Sequence, residues 1–320
     1  MGWRPAARAG FMLLMLAGCA TPQTDGLLRQ RGSLPTMVEL VQIPFHPQAE
    51  NECGPAALAM ALNASGVTVT PDDLAPTVFT PGRAGSLQTD MLTASRRHGR
   101  IAYPIQDLRE IMMEIAAGTP VVVFQNLALS WYPRWHYALA IGYDLNQQTM
   151  TLHSGLTAQD RLSIKTFELT WARGGHWAIA VLPPNRLPAN PQAQVYLAAV
   201  RGLEQAKQYD AAAQAYGTAL TRWPDDPQAL MGRGNALYAL NRKAEAAEAF
   251  RAATRHHPDA APAFNNLAHV LAELGQLATA ESAARRAIAI GGPFADTARQ
   301  TLDEIVARRK KPPAKGTPRA

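Results

Sequence analysis

The chain has 320 residues, more than one ordinary single-core domain needs and enough for two. Its 47% hydrophobic and 18% charged content excludes a chain that is disordered throughout. The formal net charge of +6 does not imply nucleic-acid binding. Much of it lies in one terminal run, Arg308, Arg309, Lys310, Lys311, Lys315 and Arg319, which reads as a solvated basic tail over 309–320.

Residues 1–18 carry Arg4 and Arg8, then an apolar run from Phe11 to Leu16, then small residues. This reads as a secretory signal peptide, too short to span a bilayer. Leu16-Ala17-Gly18-Cys19 resembles the bacterial lipobox. That resemblance implies that Cys19 is lipidated and becomes the first residue of the mature chain, anchoring the protein to a membrane without crossing it. Ala20 stands where an inner-membrane retention signal has aspartate, so the resemblance implies an outer-membrane anchor facing the periplasm. Cys19 and Cys53 are the two cysteines, which leaves Cys53 without an intramolecular disulfide partner. A free thiol in an oxidising compartment needs a reason to be there.

Residues 19–37 are polar, hold Pro22, Gly26, Gly32 and Pro35, and show no apolar period, so they read as a tether. From Val38 the chain changes character. Val38 to Pro44 is strand-like, and Cys53 to Ala64 reads as a helix closed near Gly66. Asp72 and Asp73 begin a short helix, and Ser86 is placed to cap another running through Met91 to Arg97. Ile105 to Ala117 is amphipathic and stops at Gly118; Pro120 then opens the apolar strand Val121 to Phe124. His136 to Tyr143 and Gln148 to His153 read as strands joined by a hairpin at Asp144 to Gln147, and Trp177 to Leu182 closes the set. Helices first and sheet later indicate an α+β domain over 38–183. A proline-rich linker, 184–192, follows.

Beyond the linker a 34-residue period appears. Ala212, Ala246 and Ala280 share it, as do Leu203, Leu237 and Leu271, Ala219, Ala253 and Ala287, and Pro224 and Pro258. Tyr216 and Phe250 match as large aromatics. The pattern resembles the tetratricopeptide repeat, an all-α solenoid. Three units are readable, 193–226, 227–260 and 261–294, with a capping helix from Ala295 to Arg308; the repeat domain spans 193–308. In the last unit Gly292 replaces the proline and Ala284 the aromatic.

The chemistry centres on Gln48 to Leu58. A thiol at the first turn of a helix faces unpaired backbone N–H groups and the positive end of the dipole, both of which favour thiolate. Pro55 suits a first turn, and Gly54 allows a substrate backbone to approach Cys53. Of the eight histidines, His136 is the best base: it opens a strand after the aromatic loop Trp131 to Trp135. His153 and His176 remain open, His46 lies just before the candidate oxyanion region, and His256 and His257 fall in a repeat turn. No Walker or dinucleotide-binding glycine loop, no paired CxxC and no HExxH is present, so neither cofactor nor metal is expected.

Gln48, Cys53-Gly54-Pro55-Ala56-Ala57, the stretch Ala117 to Val123 and His136-Tyr137 with Tyr143-Asp144 together resemble the papain-like peptidase family 39, the bacteriocin-processing, double-glycine leader peptidases, over residues 38–183. The resemblance implies Cys53 as nucleophile, His136 as general base and then acid, and Gln48 as oxyanion donor beside the Cys53 N–H. Two departures stand out. Gln48 lies five residues before Cys53 where six is common, and the family's Asp-Pro after the next strand is here His153-Ser154-Gly155. Ser154 is therefore the nearest match to the histidine-orienting residue, with a backbone carbonyl or Asp144 as alternatives, and serine carries no charge to stabilise imidazolium.

The fold expected is thus a papain-like α+β cysteine peptidase domain followed by tetratricopeptide repeats. The function expected is hydrolysis of a peptide bond in an exported peptide or protein, with the repeats recruiting substrate or a protein partner. Acyl transfer by the same Cys–His pair and a non-enzymatic, peptide-binding adaptor are the alternatives.

Overall fold

The computed structural model describes residues 20–48, 52–80, 82 and 85–310. The expected signal peptide, Cys19 and residues 311–320 lie outside them. The chain divides into two compact units, with the division between residues 183 and 196.

The first unit is built on a wholly antiparallel sheet. Its elements are α1 (Pro22–Arg29), β1 (Met37–Glu39), α2 (Cys53–Ala64), α3 (Pro71–Val78), the two-residue strands β2 (Phe79–Thr80) and β3 (Gly85–Ser86), and α4 (Gln88–Arg97). There follow β4 (Ile101–Ile105), α5 (Leu108–Ala116), β5 (Val121–Asn126), β6 (Trp135–Asp144), β7 (Thr149–Ser154), β8 (Thr157–Ser163), α6 (Ile164–Arg173) and β9 (Ala178–Leu182). The strand order is β4-β9-β5-β6-β7-β8, with β1 pairing on β6 beyond the end of β5.

Helix α2 is apolar all round, and every residue from Gly54 to Leu62 is buried. Such a helix has no solvent face, so it becomes the centre of a core. It packs on the sheet face formed by Val122, Tyr137, Leu139, Ile141, Ile179 and Val181, beneath Leu74 and Val78 of α3 and Met91 of α4. Strand alternation turns Ala138 and Ala140 to the other face, where α5 and α6 pack on β5 and β6.

Several segments differ from the sequence expectation, three of them near helix ends or domain boundaries. The expected tether holds α1, with Thr24 and Leu27 buried. Thr21 supplies no cap; instead the buried carboxylate of Glu168 accepts from the N–H groups of Gln23 (2.9 Å) and Thr24 (2.6 Å). A carboxylate at a helix N-terminus satisfies orphan donors and complements the dipole, and this one comes from 144 residues away. Ser86 is not a helix cap: Leu87 occupies that position without a side-chain bond, and Ser86 lies in β3. Residues 187–192 of the expected linker are bonded within the first unit, Ala189 N–H to Glu114 at 2.6 Å and the Asn190 amide to Glu110 at 2.8 Å.

The second unit is a run of helices: α7 (Ala193–Gln205), α8 (Tyr209–Arg222), α9 (Pro227–Ala239), α10 (Lys243–His256), α11 (Ala261–Glu273), α12 (Leu277–Ile290) and α13 (Ala295–Lys310). The periodic alanines at 212, 246 and 280, and at 219, 253 and 287, are all buried. Lys207, Asn241 and Gly275 take left-handed backbone at the same 34-residue spacing, each closing the turn between paired helices. Small residues admit the rings: a Cβ on Gly232 would meet the Tyr216 ring at 2.3 Å, and one on Gly234 the Phe250 ring at 2.4 Å. No helix among the described residues is long and apolar enough to cross a membrane.

Replacing Glu168 with alanine leaves two α1 N–H groups without acceptors in a buried site. The expected loss is about 2 kcal/mol in urea unfolding, with faster amide exchange across residues 22–29. Unchanged exchange there would show that α1 is held by packing alone.

Candidate functional site

Cys53 is the first residue of α2, and no side chain caps that end. The first-turn N–H groups are therefore free to face whatever lies beyond the helix. Beyond it is a cavity of about 1380 Å³ whose walls include Gln48, Cys53, Ser86, Trp135, His136 and Gly155. Cys53 and His136, from elements 83 residues apart, thus open on one space. The Tyr137 backbone N–H, next to His136, reaches the Cys53 sulfur.

His136 stands on β6 opposite Gln125 of β5. Its Nε2 lies 2.9 Å from the Ser154 hydroxyl at the end of β7. With Nε2 engaged by Ser154, Nδ1 is the ring nitrogen left for a thiol. Asp144 is excluded from orienting the ring: it accepts from the N–H groups of Asn146 and Gln147 in the hairpin turn, and eight residues of strand, roughly 26 Å, separate it from His136.

Gln48 is buried, at 6% exposure. Its Oε1 accepts from the Gly155 N–H at 2.9 Å, and its own N–H donates to the Gly155 carbonyl at 3.0 Å. This pins one end of the amide and directs the NH2 end toward the Tyr137 carbonyl, at a long 3.5 Å, beside the thiol. Gly155 holds that turn at a φ of 58°, which favours glycine. Gln48 thus lies against the site in spite of its unusual spacing.

The other histidines are engaged elsewhere. His153 is 3% exposed, with its ring nitrogens on the Ile43 carbonyl (3.3 Å) and the Gln159 N–H (3.2 Å). His46 bonds Asn63, and His176 packs edge-on against Trp171. Two lining residues escaped the sequence reading. Ser86 presses on Gly54, where a Cβ would meet its Oγ at 2.1 Å, and this hydroxyl is buried without a partner. Trp135, stacked on Phe124 at 5.2 Å, forms an exposed aromatic wall. A serine in a two-residue strand and a tryptophan at a strand start carry no local signal for either role.

Burial pushes the Cys53 thiol above its ordinary value of 9.0, against the opposing pull of the Tyr137, Gly54 and Cys53 backbone N–H groups. Burial, and then the Arg134 guanidinium, hold His136 down at about 4. The sequence led us to expect a thiolate; burial instead favours the neutral forms of the thiol and of the imidazole that open on the same cavity. A helix end stabilises charge only where desolvation does not outweigh it. Among the described residues no group of three His, Cys, Asp or Glu side chains is placed to hold a metal ion.

Alkylation of Cys53 by iodoacetamide is expected to accelerate with pH along a curve centred above 9, with no plateau near neutrality. Ser154→Asp supplies a carboxylate beside His136, which raises the imidazole value and favours an ion pair. It should speed labelling at pH 7 by about tenfold for each unit by which the thiol falls. Because the folded chain protonates His136 near pH 4 and the unfolded chain near 6.5, stability is full above 6.5 and declines as pH falls toward 4. Urea midpoints across that range, compared with those of a His136→Gln chain, read the effect; parallel curves would deny it.

Residues 40–179 match the Peptidase_C39 like family, and residues 197–255 and 235–296 match the tetratricopeptide repeat. No curated protein matches the chain. Among solved structures, a C39-like peptidase from Bacillus anthracis is 20% identical over 46% of this chain and 98% of its own, with a TM-score of 0.39. The Sgt2 repeat domain from Aspergillus fumigatus is 22% identical over 41% of this chain and 91% of its own, at 0.36. The Yersinia enterocolitica type III secretion translocator chaperone SycD is 17% identical over 37% and 86%, at 0.35. The α+β domain thus carries a match to the Peptidase_C39 like family, and the helical domain after it matches the tetratricopeptide repeat.

Proposed function

We propose that this protein is a cysteine peptidase of the cell envelope, held at the outer membrane through lipid on Cys19. It hydrolyses a peptide bond in an exported peptide or protein, and its repeats recruit the substrate or a partner. The observation that carries the reading is the common cavity onto which Cys53, His136 and Gln48 open, with the His136 ring held by Ser154.

In this reading Nδ1 of His136 takes the proton from the Cys53 thiol as sulfur attacks the scissile carbonyl. The oxyanion meets the uncapped N–H of Cys53 and the Gln48 amide, whose other end Gly155 fixes. The protonated imidazole passes its proton to the departing amine, leaving a thioester on Cys53. Water then attacks the thioester as His136 takes its proton, and the acid is released as that proton returns to sulfur. Ser154, accepting from Nε2–H, holds the tautomer but adds no charge. Burial disfavours ionisation of either partner at rest, which favours proton transfer that accompanies attack.

The same neutrality favours one second reading, a domain that binds peptides and turns them over weakly or not at all. Comparison of cell-envelope peptides between wild type and Cys53→Ala separates the two: cleavage products missing from the variant support the peptidase, and identical peptide pools support the adaptor. With a substrate in hand, Cys53→Ala and His136→Ala are expected to abolish hydrolysis. Gln48→Ala should lower kcat by about 10- to 1000-fold with little change in KM. A Gln48→Ala enzyme with unaltered kcat would remove that side chain from the oxyanion site.

A further inference from the structure

Among the described residues, the cavity is lined by two arginines, Arg134 and Arg173, and by no aspartate or glutamate. Arg134 immediately precedes β6. Its backbone is fixed on both sides, its N–H donating to the buried Asn126 at 2.9 Å and its carbonyl accepting from Leu127 at 2.9 Å. Arg173 ends α6, with Nε on the Leu169 carbonyl at 3.1 Å and the glycines 174 and 175 beside it. Among the described residues neither forms an ion pair. Asp90, an acid whose field reaches Tyr137, instead accepts a hydrogen bond from Thr80.

Two uncompensated cations facing one cavity attract an anion, and the planar guanidinium suits the two oxygens of a carboxylate. The chemistry also selects an end of the substrate. The imidazole must reach the departing nitrogen, so groups flanking His136 meet the fragment released as the amine, and Arg134 lies two residues from His136. We infer that Arg134 and Arg173 form a carboxylate subsite, and that the substrate is a peptide whose amine-side fragment bears a carboxylate close to the scissile bond, as an acidic side chain or a free C-terminus. The inference rests on the peptidase reading for its direction, but not for the charge it assigns to the cavity. A carboxylate bound there offsets the Arg134 field at His136, and so moves the imidazole toward the basicity that a neutral Ser154 does not provide.

Two alkylating agents of nearly the same shape test this on the full chain. Iodoacetate carries the carboxylate and iodoacetamide does not. The same thiolate attacks the iodomethyl carbon of each and displaces iodide, so the ratio of their rates at Cys53, read by mass spectrometry of the Cys53 fragment, cancels any change in thiol ionisation. The ratio is expected to be higher in the native chain than in the chain unfolded in urea, and to fall about fivefold in each of Arg134→Gln and Arg173→Gln. A native ratio no higher than the unfolded one, or one unmoved by both substitutions, overturns the subsite.

Should either variant fail to fold, protection of the native chain from iodoacetamide decides. N-acetyl-glycyl-glutamate is expected to protect at about one tenth of the concentration needed by the diamide of the same peptide; equal protection overturns the proposal. Failure of the two readings is distinguishable. Peptide hydrolysis with an ordinary ratio removes the subsite and keeps the peptidase, whereas a raised ratio with no change in cleavage products on Cys53→Ala keeps an anion-binding pocket and removes the peptidase.

Discussion

The position of Cys53 is set by a helix that cannot be anywhere but the core. Because α2 is apolar on every side, its burial fixes both its axis and its N-terminus, and the thiol at that end is placed as firmly as the core itself. Tyr137, Leu139 and Ile141 hold α2 from one face of β6, and the start of the same strand supplies His136. One packing contact therefore carries two chemical groups to one cavity. It also has a cost: the burial that positions the thiol withdraws it from water, and the uncapped helix end does not restore the charge.

What the sequence revealed and what it concealed divide along the sheet. The central strands, Val121–Asn126 and Trp135–Asp144, read clearly because both faces are covered and the residues are apolar. Strands β4 and β8 end the strand order and were missed. Ile101–Ile105 contains Pro104, and Thr157–Ser163 contains Gln159, Asp160 and Arg161, residues that suit an edge because they discourage further pairing. They also erase the alternation by which strands are recognised. Helix α1 was hidden for a different reason: its cap is Glu168, and no local window contains both. Cys53 and His136 were legible because a helix start and a strand start are local signals, and Gln48 through the family resemblance; that they share a cavity, and that Ser86 and Arg173 share it too, depends on packing between distant segments.

The repeats were legible for a complementary reason. In a solenoid each unit contacts its neighbours, so the same packing problem recurs every 34 residues and is solved by the same small residues. Alanine at 212, 246 and 280 is a repeated close approach. The turn position is less visible, since Lys207, Asn241 and Gly275 share a left-handed backbone but no side-chain type. The left-handed backbone recurs at that position with lysine, asparagine and glycine alike, so no single residue type marks it in the sequence.

The charge of the site follows from the third position. An acidic residue beside Nε2 would stabilise imidazolium and, through it, thiolate; Ser154 orients the ring at 2.9 Å and leaves the ion pair without support. Burial holds the imidazole down and Arg134 moves it further in the same direction, so on the free protein both oppose protonation of the base. In the peptidase reading, that opposing charge has to be offset when substrate binds. In that reading a carboxylate delivered with the substrate would offset the Arg134 field on binding, so the interaction that recognises the substrate would also help to prepare the base.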